Sequence, residues 1–418
     1  MIKKVIVSLC VLLSISAVAQ KGTSSAYSFY GIGETKFKGT PESRSMGGIS
    51  IFPDSTHVNL QNPAGYGSLK FTTFSIAATY NATSSASNFG EGSSKNTTVD
   101  YFTIGIPLSE KWAAGLGVMS YSAVGYRIAT ESSNDDVGIS NQYTGDGGVN
   151  RVFFNTGYKL NNNLSLGASM AYNFGKIETA GLEFIESIQY GTQELNVSEV
   201  SGFSFNFGAM WEKKVNDKQK LFLSMTYTPE STLRFANSRS VSTILYSAST
   251  DPYVIDEQEI LVADTDQKLP SNWSFGAGFG EERKWLIGGE FTLSQSSSML
   301  NRFEDITNAT FENSKKIAVG GYYIPEFNSF SGYFKRVTYR GGFRYENTGL
   351  VVNNKAIDDM AVTFGFGFPI TGSFSNINLG MELGKKGTKA ADLVRENYVN
   401  FTASFSLNDK WFVKRKIN

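Results

Sequence analysis

The sequence predicts an all-β fold, a transmembrane barrel of about fourteen antiparallel strands like those of bacterial outer membranes. Three observations lead to it. Apolar and polar residues alternate in many segments, short and long connections alternate between these segments, and the composition is rich in glycine and aromatic residues. The chain has 42 glycines, 32 phenylalanines and 20 tyrosines but only 9 prolines. Aromatic girdles at both membrane interfaces are typical of such barrels. A secreted array of β-sandwiches could share this composition. The lengths of the connections between strands distinguish the two folds.

The N-terminus predicts export from the cytoplasm. Two lysines within Met1 to Lys4 precede an apolar run over residues 5–16 and a small-residue site, Ala17-Val18-Ala19. This pattern indicates a signal peptide over residues 1–19, because the apolar run is shorter than the ~20 residues that a membrane helix needs. Cys10, the only cysteine, lies inside this run. We therefore expect neither a disulfide nor a thiol nucleophile in the mature chain.

The segment that follows, residues 20–68, lacks sustained alternation and contains turn signals such as Gly47-Gly48 and Asn62-Pro63-Ala64-Gly65. In a barrel of this size, such a segment folds most simply into the lumen. We therefore predict an N-terminal hatch, or plug, over residues 20–68. A tail in the periplasm is the alternative.

Alternation predicts a barrel over residues 69–408. Val362, Phe364, Phe366 and Phe368 alternate with small or polar residues, so one face of that strand is apolar and the other polar. The predicted strands lie near residues 69–83, 97–108, 111–127, 148–160, 163–176, 199–213, 219–230, 267–279, 283–296, 315–324, 334–347, 358–370, 376–386 and 396–408.

The connections favour a membrane barrel over a soluble sandwich. Short ones lie at residues 109–110, 161–162, 215–218 and 280–282, and long polar ones at 84–96, 128–147, 177–198, 231–266, 297–314, 348–357 and 387–395. Their alternation places all long loops on one side of the membrane and, with an even strand number, both termini on the other. We predict a multi-pass barrel of the bacterial outer membrane with both termini, including a tail over residues 409–418, in the periplasm.

Residues 39–65, GTPESRSMGGISIFPDSTHVNLQNPAG, resemble the hatch of FadL-type outer-membrane transporters of long-chain fatty acids and aromatic hydrocarbons. In that pattern an arginine precedes Met-Gly-Gly, an aspartate follows, and Asn-Pro-Ala-Gly closes the motif. The matching positions here are Arg44, Met46, Gly47, Gly48, Asp54, Asn62, Pro63, Ala64 and Gly65. Residues 269–279, 285–291 and 339–345 resemble strands of the same family.

This resemblance implies a fourteen-stranded barrel whose hatch blocks an axial pore. Members of the family pass hydrophobic ligands sideways into the membrane through a gap at a kinked third strand. The corresponding strand here, residues 111–127, has possible kink sites at Gly115, Gly117 and Gly125. The basic tail after Trp411 resembles FadL-like barrels of Bacteroidota. Some of those barrels are subunits of secretion or assembly machines.

Arg336, Arg340 and Arg344 share one parity on the eleventh predicted strand. A charge on the lipid face near mid-membrane costs about 2–4 kcal/mol, so we expect these side chains in the lumen. The same reasoning places Glu290 and Glu382 there. The cluster could steer a ligand carboxylate, or its members could form ion pairs that brace the hatch against the wall; we favour the second interpretation, because buried charges need partners.

Little in the sequence suggests an enzyme, a cofactor or a metal site. His57 is the only histidine, which leaves no His-based triad and no convincing zinc site. An acidic loop could in principle hold calcium, but its spacing fits no regular calcium loop, and we expect a solvated acidic surface. Its members are Asp251, Asp256, Glu257, Glu259, Asp264 and Asp266.

The leading hypothesis from the sequence is passive uptake of hydrophobic small molecules, either long-chain fatty acids or aromatic hydrocarbons, through an apolar lumenal pocket and the hatch. The alternative is a non-transporting barrel subunit of a larger outer-membrane secretion or assembly complex. The expected partners are therefore outer-membrane lipid and a hydrophobic ligand or, under the alternative, an outer-membrane protein complex. With 38 basic and 38 acidic residues, nothing favours nucleic acid.

Overall fold

The computed structural model describes residues 22–134, 137–186, 188–245, 253–302 and 306–411. The predicted signal peptide, Asp251 and the end of the predicted tail lie outside the described residues. Among the residues that are described, no helix has both the length and the apolar character needed to cross a membrane.

The chain folds almost entirely into β-strands. They are β1 (Glu34–Thr35), β2 (Thr72–Ala86), β3 (Glu91–Pro107), β4 (Trp112–Asn134), β5 (Val137–Lys159), β6 (Leu164–Ile185), β7 (Tyr190–Lys214), β8 (Gln219–Thr228), β9 (Ser231–Leu245), β10 (Tyr253–Ile260), β11 (Thr265–Leu269), β12 (Asn272–Glu281), β13 (Trp285–Ser294), β14 (Ala309–Phe311), β15 (Ser314–Tyr323), β16 (Thr338–Val352), β17 (Lys355–Pro369), β18 (Asn376–Gly387) and β19 (Arg395–Asp409). Two four-residue helices, α1 (Pro41–Arg44) and α2 (Tyr333–Arg336), and 3₁₀ turns at Ala26–Phe29, Pro63–Ser68, Ser296–Ser298 and Ala390–Asp392 complete the described elements.

These strands form a closed antiparallel barrel. Strand β1 belongs to the N-terminal segment, while β8–β9, β10–β12 and β14–β15 are each interrupted pieces of one wall strand, so the described wall has fourteen strands. The last strand pairs with the first, from Arg395 opposite Ala86 to Asp409 opposite Thr72. The predicted fold class is confirmed.

The wall is apolar outside and polar inside. On β17, Phe364 points outward and is 48% exposed, whereas its neighbour Thr363 points into the lumen and is 1% exposed. Alternation of this kind runs along β19 as well, where Ser404 and Ser406 are buried between outward-facing apolar residues. A soluble protein would bury its apolar face, so this wall is built to contact lipid.

The connections segregate to two ends of the barrel. We call the end with residues 108–111, 160–163, 215–218 and 282–284 the short-turn end and the opposite one the long-loop end. The short-turn end also carries a longer connection, residues 324–337, which contains α2.

One strand boundary was predicted wrongly at this end. We expected a wall strand from residue 334, with Arg336 facing the lumen, but β16 begins at Thr338. Its neighbour β15 ends at Tyr323, opposite Tyr339, so an earlier segment has no partner on the β15 side. Arg336 lies in α2 instead, with its guanidinium carbon 5.4 Å from the centre of the Tyr333 ring.

The longest predicted loops are largely strands, which corrects our expectation for residues 128–147, 177–198 and 231–266. Strands β4 to β7 have 22 to 25 residues each, against ten in β13, whereas about 9–11 residues suffice to cross a membrane. Apolar residues such as Leu233 and Phe235 are buried at the base of the excess, but polar residues occupy both faces over much of its length, so hydrophobic alternation is not sustained. We call this part, residues 127–134, 137–146, 178–185, 190–200, 231–245 and 253–260, the projecting sheet.

The apolar cores lie inside the barrel, between the wall and residues 22–70, which we call the hatch segment. Ile49 and Ile51 of this segment pack against Phe222 and Leu286 of the wall. Nearer the long-loop end, Ile32 packs with buried residues of β4 to β7 and β9. The hatch segment therefore fills the lumen over most of its height.

Candidate functional site

The hatch motif is placed by a short helix and two glycines. Thr40 caps α1, with its Oγ1 accepting from the backbone N–H of Ser43 at 3.5 Å, and Arg44 ends the helix. Gly47 and Gly48 then adopt φ of 72° and 89°, a region that strongly favours glycine. The N–H of Gly47 donates to Oγ1 of Thr363 at 2.9 Å. A Cβ on Gly342 of β16 would lie 2.3 Å from that nitrogen, so the wall also needs a glycine there.

Arg44 joins the hatch to the wall through a buried carboxylate. Its Nε donates to Oε2 of Glu382 at 2.7 Å, and its Nη1 donates to Oγ1 of Thr79 at 3.0 Å. Arg344 donates from Nη2 to Oε1 of the same glutamate at 2.8 Å, and also to Asp359 at 2.9 Å. Glu382 is only 2% exposed, so both of its oxygens are already committed to arginines.

Two further contacts brace the hatch in the same way. The backbone N–H and the hydroxyl of Ser50 both donate to Oε2 of Glu290, at 2.9 and 3.0 Å. Arg340 donates from Nη1 to Oδ1 of Asn378 at 3.1 Å, and Asn378 in turn donates to Oε1 of Glu42 in the hatch at 2.5 Å. The predicted charges at 290, 340, 344 and 382 thus lie in the lumen, in a network that holds the hatch.

The Asn-Pro-Ala-Gly stretch forms a fixed corner. Asn62 is fully buried and caps the 3₁₀ turn Pro63–Ser68, its Oδ1 accepting from the N–H of Ala64 at 3.0 Å. The wall approaches so closely that a Cβ on Gly167 would lie 2.3 Å from the nitrogen of Ala64, and one on Gly208 would lie 2.1 Å from Oδ1 of Asn62. A loss of this corner would therefore release the hatch from the wall.

Asp54 and His57 form a pair within the hatch. Oδ1 of Asp54 accepts from the N–H groups of Thr56 and His57, and Nδ1 of His57 lies 2.9 Å from its Oδ2. Desolvation disfavours charge on both groups, although the Asp54 side chain is 45% exposed. Their mutual attraction outweighs this effect, so the pKa of Asp54 is lowered. The carboxylates of Asp54 and Glu42, the latter 3.7 Å from Nε2, raise the pKa of His57 above its usual 6.5.

The wall has a gap between its second and third strands. Strand β3 pairs with β4 only from Tyr101 to Pro107, opposite Met119 to Ala113, although both strands continue toward the long-loop end. An irregularity in the β4–β5 pairing lies at the same level, between Ser120 and Ser122. Such bulges bend a strand and redirect its side chains. The third strand thus leaves its neighbour just beyond Met119.

The start of the hatch segment occupies this gap. Strand β1 pairs with Ser122 and Ala123 of β4, and the N–H of Gly125 donates to Oγ of Ser28 at 3.1 Å. On the other side, the hydroxyls of Ser24 and Ser94 of β3 lie 2.6 Å apart. A Cβ on Gly125 would lie 1.9 Å from the carbonyl oxygen of Thr23. The hatch segment thus contacts both edges of the gap, through strand pairing on β4 and through side-chain hydrogen bonds on β3.

A lumenal cavity of about 480 Å³ lies between the hatch segment and the wall. Serine, threonine, asparagine and charged residues line it together with apolar residues such as Ile32, Phe153 and Leu269, so the pocket is mixed, whereas the sequence led us to expect an apolar one. Lys38 and Arg151 lie 4.7 and 3.9 Å from the centre of the Tyr121 ring, and Lys316 faces the same space. Among the described residues, none of the three forms a salt bridge.

No set of three or more histidine, cysteine, aspartate and glutamate side chains is arranged to hold a metal ion within the described ranges. In the acidic loop, Asp264 pairs with Arg234 at 2.8 Å, while Asp256, Glu257 and Glu259 lie on the exposed strand β10.

Several partners of the network were not predicted. They are Thr79, Asp359, Asn378 and Tyr398, whose hydroxyl donates to Oδ1 of Asp359 at 2.7 Å. Each has the lumen-facing parity of its strand, which is the signal that could have identified it. Parity alone does not reveal which two strands bring their polar residues together.

Comparisons with known proteins agree with the architecture. The toluene transporter TodX of Pseudomonas putida superimposes with a TM-score of 0.58 at 15% identity, over 89% of this chain and 98% of that one. A FadL homologue of Pseudomonas aeruginosa gives 0.56 at 14%, over 90% and 98%, and the monoaromatic hydrocarbon channel CymD gives 0.55 at 12%, over 89% and 97%. At such identities the likeness establishes the fold alone.

No curated protein sequence matches the chain. A family model does: that of BamG matches residues 1–418. The barrel, with its hatch segment and its sealed gap, has the fold of FadL-type channels, and by sequence the protein belongs to the BamG family.

Proposed function

We propose that the protein is a non-transporting barrel subunit of a larger outer-membrane secretion or assembly complex, which it joins through its projecting sheet. The observation that carries this proposal is β10, Tyr253–Ile260, whose eight residues are all exposed. Its only strand partner among the described residues is β9. An exposed edge with apolar side chains outside the lipid band is typical of a protein interface.

The surface of β10 suggests the chemistry of the partner. Tyr253, Val254, Ile255 and Ile260 are exposed, and Leu261 next to them is fully exposed. Asp256, Glu257 and Glu259 lie among them. Acidic residues on an edge strand oppose pairing with unselected strands, so we expect a partner that offers both apolar and basic residues.

The state of the lumen supports the same proposal. A hydrophobic ligand would need an axial or a lateral route, and the hatch segment occupies both. Removing one partner of a buried ion pair costs about 3–5 kcal/mol. The contacts of Arg44 with Glu382 therefore give movement of the hatch a high free-energy cost. The cavity mixes polar and charged groups with apolar ones, so an apolar molecule inside it would leave buried polar groups without partners.

The test is purification from native membranes in mild detergent. Wild-type protein should retain a stoichiometric outer-membrane partner, and the triple variant Tyr253→Ser, Ile255→Ser, Leu261→Ser should lose it while remaining a folded barrel. Phe89→Ser is the matched control, because Phe89 is 84% exposed on another connection at the long-loop end. Isolation of the wild-type barrel without any partner would contradict the proposal.

A second candidate is uptake of hydrophobic small molecules, such as long-chain fatty acids or aromatic hydrocarbons. The observation that favours it is the group of three cations, Lys38, Arg151 and Lys316, at the cavity. Burial lowers the pKa of Lys38, because it disfavours the charged form. An anionic head group next to Lys38 would stabilise that charge. The solved channels of similar fold are described as carriers of toluene and monoaromatic hydrocarbons.

Uptake of a fluorescent fatty acid and of radiolabelled toluene into whole cells separates the two candidates. A transporter should take up at least one of them faster than a deletion strain, and Arg151→Met or the double variant Asn62→Ala, Pro63→Ala should change that rate. A docking subunit should show equal uptake in wild type, deletion strain and variants. We expect equal uptake.

A further inference from the structure

The lipid-facing wall of the barrel is not uniformly convex. A groove of about 670 Å³ crosses its outer surface from β3 over β2, β19, β18 and β17 to β16. It lies on the opposite side of the wall from the lumenal cavity and from the hatch. It is therefore independent of the proposed function.

The register of the strands explains why this stretch is concave. One row across the six strands reads Lys95, Ala82, Val399, Leu383, Val362 and Phe343. The small side chain of Ala82 forms the floor, whereas Phe343 and Leu383 are 45% and 40% exposed and form one side. Every residue of this row lines the groove.

The next row toward the long-loop end is mostly polar. On β3, β2, β19 and β18 it contains Ser93, Ser84, Asn397 and Lys385, and it continues with Met360 on β17 and Tyr345 on β16. The row on the other side is apolar and contains Tyr80, Phe401, Met381 and Phe364. The groove thus crosses the level at which the wall changes from hydrocarbon-facing to head-group-facing.

Two lysines mark the polar side of the groove. Lys95 and Lys385 have exposed side chains that point away from the lumen, and neither forms a salt bridge with a described residue. A lipid-facing lysine costs little free energy when it lies near the membrane interface. An anionic group at the level of the lipid head groups would stabilise its charge. No carboxylate is among the residues that line the groove.

The width of the groove indicates the kind of ligand. Its six strands span five inter-strand spacings, or about 24 Å at 4.8 Å each, which is several acyl chains side by side. We propose that the groove binds a multi-acylated lipid with a phosphorylated head group from the leaflet at the long-loop end. The acyl chains lie over Ala82, Val399 and Val362, and the phosphates contact Lys95 and Lys385.

The experiment uses the full-length barrel in nanodiscs that contain phosphatidylcholine and hexa-acylated lipid A. After transfer to detergent, native mass spectrometry measures the fraction of barrel that retains lipid A. The double variant Lys95→Glu, Lys385→Glu should reduce that fraction at least about tenfold. Ala82→Phe, which fills the floor, should reduce it similarly without changing the lumen.

Lys315→Glu is the matched control. Lys315 is an outward-facing lysine near the same end, on β15, but outside the groove, and its replacement should leave lipid retention unchanged. A second arm replaces lipid A by its dephosphorylated form, which should be retained far less. Equal retention of the two lipids, equal loss in all variants, or a second barrel bound over the groove in place of lipid would each overturn the proposal.

Discussion

Nε of Arg44 in the hatch lies 2.7 Å from Oε2 of Glu382 in the wall, and the same glutamate also binds Arg344. Glu382→Ala should therefore leave Arg44 buried without its partner, at a cost of about 3–5 kcal/mol. We expect hydrogen exchange in residues 40–50 to accelerate strongly, while heat-modifiable migration on gels shows an intact barrel.

Two further variants serve as comparisons for Glu382→Ala. Arg44→Leu should have a smaller effect, because Arg344 continues to neutralise Glu382. Lys389→Ala breaks an exposed 4.0 Å pair with Glu91 and should change nothing measurable, since surface pairs contribute about 0–1 kcal/mol. If Glu382→Ala leaves hatch exchange unaltered, the pair does not hold the hatch.

The seal of the lateral gap should depend on Gly125. Gly125→Val would push the hatch segment off β4, because even a Cβ would lie 1.9 Å from the oxygen of Thr23. We expect a protease to cleave residues 22–36 in this variant and not in wild type. Gly90→Val is the control, since nothing lies within 4 Å of its Cβ position. Equal resistance of all three proteins would show that the segment does not fill the gap.

Docking of the hatch around His57 should weaken as pH rises. The pKa of His57 is raised in the folded protein by Asp54 and Glu42. The stability that its proton contributes is complete below the usual value of 6.5 and is lost as pH rises through the folded pKa. Exchange protection of residues 52–60, corrected for intrinsic rates, should fall over that range. His57→Gln should abolish the pH dependence; a dependence that persists would point to another group.

Accessibility of the two ends tests the orientation. A cysteine in place of Leu261, at the long-loop end, should react with an impermeant maleimide on whole cells, whereas one in place of Asn162, in a short turn, should react only after permeabilisation. Both residues are exposed, so local burial does not affect the comparison. The opposite pattern would reverse the predicted orientation.

The transmembrane part of the fold was predictable because lipid forces each wall strand to alternate. Phe364, Thr363 and their neighbours show this in sequence and in structure. The projecting sheet was not predictable by the same rule. Residues such as those around Asp256 meet water on both faces, so nothing in their order separates strand from loop.

For the site, parity predicted that Arg344, Glu290 and Glu382 face the lumen, but it did not identify their partners. A rule with period two cannot say that Arg44 and Arg344 share one carboxylate, because that depends on how the hatch segment lies against strands some 300 residues away. Arg336 shows the limit in the other direction. The prediction that Arg336 faces the lumen required the strand to extend back to that residue. The pairing of β15 with β16 ends at Tyr339 instead.

Segments far apart in the chain meet in this hatch, so the hatch must dock late in folding. Ser25 hydrogen-bonds to Glu396, which is 371 positions later in the chain, and Arg44 to a residue 338 positions later. Contacts of such sequence separation form late, because the intervening chain must be ordered first. The N-terminal segment leaves the ribosome first, yet it can be fixed only after β18 and β19 are in place. Until then an open barrel and an unpaired leading segment coexist, and this interval is when the protein most needs help from other proteins.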